Sequence, residues 1–173
     1  MPPAKSMVSS AHHEPSTLTG PSGVKMRGPY EWVPPIYWYT DTDLGGPHGL
    51  ATEIGPSPAP PPEDSLRRFI PESDLWPIGE VWSFHAGGGP FQTLDVFNAA
   101  MNARYGEPKG LEEYALKAQV AAYESHRAMF ESFRERKYTA TGVVQWMLNN
   151  AWPGLIWHLY DFYLRPAGSY FGA

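Results

Sequence analysis

The longest periodic stretch runs from Leu111 to Lys137, where Leu111, Tyr114, Ala118, Ala122, Ser125, Met129 and Phe133 recur every three or four residues. That interval puts them on one face of an α-helix, and Arg134, Arg136 and Lys137 fall where the helix dipole favours cations. Two shorter helices are predicted before it. Pro60-Pro61-Pro62 followed by Glu63 and Asp64 starts one over about Glu63 to Ile70, with proline suited to the first turn and acids at the positive end. Thr93 caps another over Leu94 to Arg104, which Gly106 closes. Trp76 to Pro90 reads as a long loop, and Pro153 opens a last helix to about Leu164.

Strand patterns are short. Val24-Lys25-Met26-Arg27 ends at Gly28-Pro29, and Tyr30 to Tyr39, an aromatic and proline run, suits a rigid loop. Gly49 to Ile54 is an apolar stretch that stops at Gly55-Pro56, which places Glu53 at a strand's end. Thr141 to Trp146 is almost continuously apolar, the pattern of a strand buried on both faces. Met7-Val8-Ser9-Ser10 is a weaker candidate inside Met1 to Ser22, an otherwise irregular lead-in. Strands alternating with helices predict the α/β class, a parallel sheet with helical crossovers. These strands are too few to close a barrel, so the pattern reads as part of a larger fold, with one continuous domain over 23–173.

Composition narrows the function classes. The 173 residues are 42% hydrophobic, with 7 Trp, 10 Tyr and 8 Phe, enough for a real core and against disorder throughout. The 19 prolines and 17 glycines argue against a simple helical bundle. A net charge of -5 and scattered cations leave no footprint for a phosphate backbone, so nucleic acid is not an expected partner. There is no cysteine, hence no disulfide framework or thiolate metal site. No apolar run reaches the length of a membrane span or of a signal-peptide core, so neither a membrane nor an export signal is expected in the chain as written.

Carboxylates at the C-terminal ends of parallel strands are the usual catalytic positions of α/β barrels, and Glu53 fits that description. An ordinary exposed acid in a turn is the plain alternative. The aromatics weigh towards carbohydrate, because Trp and Tyr faces pack on sugar rings while a carboxylate works at the anomeric carbon. Trp146 ends the last strand, and Asn149, Asn150 and Trp152 follow in its loop, where two amides can bond hydroxyls. Core packing for Trp146 and Trp152, and turn satisfaction for Asn149 and Asn150, is the alternative. Tyr30 stands at another strand end, so three ends point to one cleft. Asp41 and Asp43 lack the remaining ligands of a calcium loop, the six histidines form no metal pattern, and Gly87-Gly88-Gly89 lacks the lysine of a phosphate loop. No metal and no cofactor are expected.

Several phrases in order carry a family resemblance. Gly28-Pro29-Tyr30-Glu31-Trp32-Val33-Pro34-Pro35, Tyr37-Trp38-Tyr39, Thr52-Glu53-Ile54-Gly55, Ser65-Leu66-Arg67-Arg68 and Gln145-Trp146-Met147-Leu148-Asn149-Asn150-Ala151-Trp152-Pro153 resemble the second half of the catalytic barrel in glycoside hydrolase family 2. The exo-β-D-glucosaminidase and β-mannosidase-like branch is the nearest. The resemblance implies a partial TIM (β/α)8 barrel, roughly its fifth to eighth strands with their helices, and a retaining mechanism using two carboxylates about 5 Å apart. It implies Glu53 as nucleophile, Tyr30 as the tyrosine bonded to it, and Trp146 as the floor of the sugar subsite. Its implied ligand is a β-linked oligosaccharide of the glucosaminide or mannoside class. The family's acid/base residue lies on the fourth strand and has no counterpart here. The expectation is a truncated or split frame that is inactive alone, unless another chain supplies the missing N-terminal barrel half. Full-length relatives are expected to be exported, and the compartment of this chain is left open. A sugar-binding module built on Tyr30, Trp38, Trp146 and Trp152 is the competing expectation.

Overall fold

One helix carries the fold, and both hydrophobic clusters lie along it. The structure, a computed structural model, describes residues 14–16, 20–26, 28–42, 44–56, 58–87 and 94–173. Helix α5 spans Leu111–Glu135. The residues that the three-to-four spacing singles out, from Leu111 through Tyr114, Ala118, Ala122, Ser125 and Met129 to Phe133, are all buried.

The C-terminal half of α5 covers a small sheet. Strands β1 (Glu14–Ser16), β2 (Gly20–Lys25), β3 (Gly49–Ile54) and β4 (Ala140–Gln145) lie in the order β1-β2-β3-β4. Strands β2, β3 and β4 run parallel, with Lys25 opposite Ala51 and Ile54 opposite Gln145, so the expected parallel α/β sheet is present. Strand β1 pairs antiparallel with β2, and both begin inside the segment read as an irregular lead-in. Ala51 and Ile54 pack with Trp38, Ala128, Met129, Phe133 and Ala140 between sheet and helix. Full burial of a side chain such as Met129 or Phe133 contributes about 1.5–3 kcal/mol.

The N-terminal half of α5 anchors the second cluster. Helices α2 (Glu63–Phe69) and α4 (Leu94–Tyr105) stand where proline, acid and glycine signals put them, and Leu66, Phe97 and Met101 pack with Tyr114 and Ala118. The Trp76 to Pro90 segment is not all loop. It contains α3 (Glu80–His85), which buries Trp82 and bonds its indole N–H to the Asp74 carbonyl at 3.0 Å. Likewise α1 (Ile36–Thr40) interrupts the rigid loop expected over Tyr30 to Tyr39, burying Trp38.

Two further expectations are overturned. No helix runs from Pro153 to Leu164: Leu155 N bonds the His85 carbonyl at 3.0 Å and Ala59 N bonds the Leu155 carbonyl at 3.0 Å, so distant partners take the backbone groups a helix needs. The last helix is instead α6, Gly168–Gly172. Strand β4 is not buried on both faces, since Val144 is 52% exposed. Its named neighbour in the sheet is β3, and α5 covers only one face. The strand near Val8, the cap at Thr93 and the acid Asp43 lie outside the described residues. No described helix is long and apolar enough to cross a membrane.

Candidate active site

Three parallel strands deliver their C-terminal ends to one side of the sheet. Glu53 is the penultimate residue of β3, Trp146 follows the last residue of β4, and Tyr30 lies beyond β2 after a turn at Gly28. Gly28 has φ +135°, and a Cβ there meets Gly45 Cα at 2.6 Å and Ile54 Cδ1 at 2.7 Å, so only glycine lets the chain pass. The ends of β3 and β4 are stitched together. Trp146 N donates to the Ile54 carbonyl at 3.0 Å, and a Cβ on Gly55 lies 2.5 Å from the Trp146 carbonyl oxygen.

Tyr30 Oη donates to Glu53 Oε1 at 2.7 Å, and both residues are half-buried. The Tyr30 hydroxyl is held well above the usual phenol range, first by burial, then by this hydrogen bond and by the Glu53 charge. The phenol is therefore a standing donor. One oxygen of the Glu53 carboxylate is thereby fixed by a donor, which orients the group.

The remaining expected residues fall into different surroundings. Trp146 is 39% exposed beside the strand ends. Trp152 is 42% exposed and stacks on His85 of α3, with centroids 5.2 Å apart and planes 20° apart, and meets Phe84 edge-on at 5.5 Å. Asn149 is exposed and sends its amide to the Asn150 carbonyl at 3.4 Å. Asn150 is buried, its amide 2.6 Å from His158 Nδ1 and 3.4 Å from the Ile156 carbonyl. Trp38 is fully buried under the sheet, which removes it from any surface cleft. Asp41 Oδ2 accepts from Leu44 N at 3.0 Å and Gly46 N at 2.7 Å, so that carboxylate closes its own loop.

A separate polar centre forms around Lys25, the last residue of β2. Lys25 is fully buried, with its ammonium donating to the Leu44 carbonyl at 3.0 Å and to the Gly46 carbonyl. Burial lowers its pKa to about 8, against the raising effect of Asp41. Lys25 lies opposite Ala51 in the ladder, two residues before Glu53, and its ammonium is held by the loop that leads into β3.

Sequence reading missed Trp157. Its indole Nε1 donates to the Tyr30 carbonyl at 2.6 Å, and its ring meets the Tyr30 ring edge-on at 6.1 Å and 75°. No local pattern points to it, because it lies in the stretch read as a helix and its partner is 127 positions away. His126 on α5 and His158 in the segment after Pro153 are both fully buried, and burial lowers each to about 4. No group of three or more ligand-type side chains able to hold a metal occurs among the described residues.

No family model matches the chain. It is 44% identical over 167 residues to the exo-β-D-glucosaminidase of Hypocrea jecorina, a match covering 90% of this chain and 19% of that protein. The exo-β-D-glucosaminidase of Streptomyces avermitilis is 41% identical over 175 residues, with 96% of this chain and 19% of that protein covered. Among solved structures, the exo-β-D-glucosaminidase CsxA superposes with a TM-score of 0.78 at 37% identity, over 91% of this chain and 20% of that one. The chain thus spans about a fifth of the length of the curated relatives it matches.

Proposed function

The chain belongs to glycoside hydrolase family 2 as a homologue of exo-β-D-glucosaminidases, and we propose that it supplies the nucleophile-bearing half of a retaining β-glycosidase active site. In this reading residues 23–173 are the C-terminal part of a (β/α)8 barrel, with β2, β3 and β4 as its sixth, seventh and eighth strands. The Tyr30–Glu53 hydrogen bond at the strand ends is the observation that carries it.

Glu53 attacks the anomeric carbon, the glycosidic bond breaks, and a glycosyl-enzyme forms that water later hydrolyses. Tyr30 donates to one carboxylate oxygen and leaves the other aimed at the sugar. Trp146 offers an exposed indole as the subsite floor, and Asn149 offers an exposed amide beside it. Asn150, bonded inward, shapes that loop rather than touching the sugar. Trp152 extends the aromatic surface from the same loop. The substrate is a β-linked oligosaccharide of the glucosaminide class, with mannosides second.

In this reading no carboxylate among the described residues takes the place of the family's acid/base residue, and protonation of the leaving oxygen falls to the N-terminal half of the barrel. The chain alone is inactive in this account. Its test is release of p-nitrophenol from p-nitrophenyl β-D-glucosaminide by the chain alone and by the chain co-expressed with the N-terminal barrel half of the Hypocrea jecorina relative. Turnover in the second case only, abolished by Glu53→Gln, supports the reading, and turnover that survives Glu53→Gln ends it.

The exposure of Trp146 and Trp152 favours a second reading, a sugar-binding surface without turnover. Titration of tryptophan fluorescence with glucosamine, mannose and galactose oligosaccharides decides it. No saturable change with any of them removes that reading.

A further inference from the structure

The irregular segment after Pro153 returns one side chain to Tyr30. Trp157 adopts φ +66°, a left-handed conformation that a bulky residue takes only where its surroundings impose it. Those surroundings are polar and specific. Its indole N–H donates to the Tyr30 carbonyl at 2.6 Å, its own carbonyl accepts from Gln145 Nε2 at 3.3 Å, and that carbonyl also accepts from Met147 N. Its ring edge rests against the Tyr30 ring. One residue therefore joins the loop bearing Tyr30, the end of β4 and the residue after Trp146.

We propose that Trp157 is the positioning residue of the site: it holds the Tyr30 phenol on Glu53 and, through its carbonyl, fixes the Trp146–Met147 turn beside them. Tyr30 lies beyond the end of β2, outside the ladder, so its backbone has no strand partner to fix the ring. The indole bond supplies that restraint from the far end of the sequence. Trp157 need not touch substrate. The inference rests on the reading of Glu53 as nucleophile only for its consequence for rate, and its test uses no substrate, so either can fail without the other.

Tyrosines labelled at 13Cζ are followed by NMR against pH, with the Tyr30 signal identified by its loss in Tyr30→Phe. In the parent chain the Tyr30 signal titrates above the ordinary phenol midpoint of about 10. Trp157→Phe releases the ring from Glu53 and brings the midpoint down by about one unit or more, into the ordinary range. In a Glu53→Gln background, where Glu53 exerts no charge, Trp157→Phe adds a smaller shift, because only the burial of the ring is then lost. An unmoved Tyr30 midpoint, or an equal shift in both backgrounds, overturns the proposal.

Folding of the variant does not limit the test, because the parent chain provides a second reading. Hydrogen exchange at the Trp157 indole is expected to be at least about 100-fold slower than at the exposed indoles of Trp146 and Trp152. Exchange as fast as theirs shows no held bond and overturns the proposal.

Discussion

Tyr30 Oη and Glu53 Oε1 lie 2.7 Å apart at the ends of neighbouring parallel strands, joining residues 23 positions apart. A carboxylate loses orientation when such a donor is removed, and a hydrogen bond to a charged group contributes about 1.5–3 kcal/mol. In the complemented barrel, Tyr30→Phe is expected to lower kcat for p-nitrophenyl β-D-glucosaminide by roughly 10- to 100-fold. The hydroxyl is half-buried and pairs with one partner, so the urea midpoint changes little. Unchanged kcat in Tyr30→Phe speaks against an orienting role.

Gly55 sits under the Trp146 carbonyl, where an added Cβ lies 2.5 Å from oxygen that belongs to backbone and cannot swing away. Gly55→Ala is expected to destabilise the chain by about 1–3 kcal/mol, the usual range for overpacking. Urea unfolding measures that loss, and a shifted Trp146 emission reports the displaced strand end. A variant with parent stability and parent emission contradicts the close approach.

His126 and His158 link stability to pH. Burial lowers each from 6.5 to about 4, and the charge of neighbouring His158 adds to the lowering at His126. Between those values the unfolded chain holds more protons than the folded one, so stability rises with pH across the window. It is full above about pH 6.5 and is lost as pH falls towards 4. The loss is on the order of a few kcal/mol by pH 4. Urea midpoints at neutral and acidic pH test this, and a flat profile across that window refutes it.

Phe97 is fully buried between α4 and α5, among Leu66, Met101 and Tyr114. Phe97→Ala leaves a cavity at the centre of that cluster and is expected to cost about 3–5 kcal/mol. Val96, 55% exposed one residue earlier, serves as the control, with Val96→Ala expected within about 0.5 kcal/mol. Denaturant unfolding of the pair separates core from surface on α4.

Helices α2, α4 and α5 were legible because each has a local cause: proline and acids at a start, glycine at an end, or one apolar face over many turns. Glu53 was legible at its strand end because Gly55-Pro56 stops the strand within two residues. The short helices α1 and α3 were not legible, since neither has a side-chain cap and each depends on burying one tryptophan, Trp38 or Trp82, against distant elements. The segment after Pro153 looked helical because proline suits the first turn of a helix. Leu155 and Trp157 are instead spent on His85, Gln145 and Tyr30, partners that local patterns do not encode. The same limit hid Asn150, whose amide reads as surface chemistry but serves His158 and Ile156 inside the loop.

The central claim is that Glu53 forms the bond to the sugar. The most direct measurement is intact-mass and peptide mass spectrometry of the complemented barrel after reaction with a β-glycoside carrying an activated leaving group and fluorine at C2, which forms the glycosyl-enzyme faster than it is hydrolysed. The account predicts one added glycosyl mass on the peptide containing Glu53 and none in Glu53→Gln. A label on any other carboxylate, or turnover with Glu53 unlabelled, contradicts it.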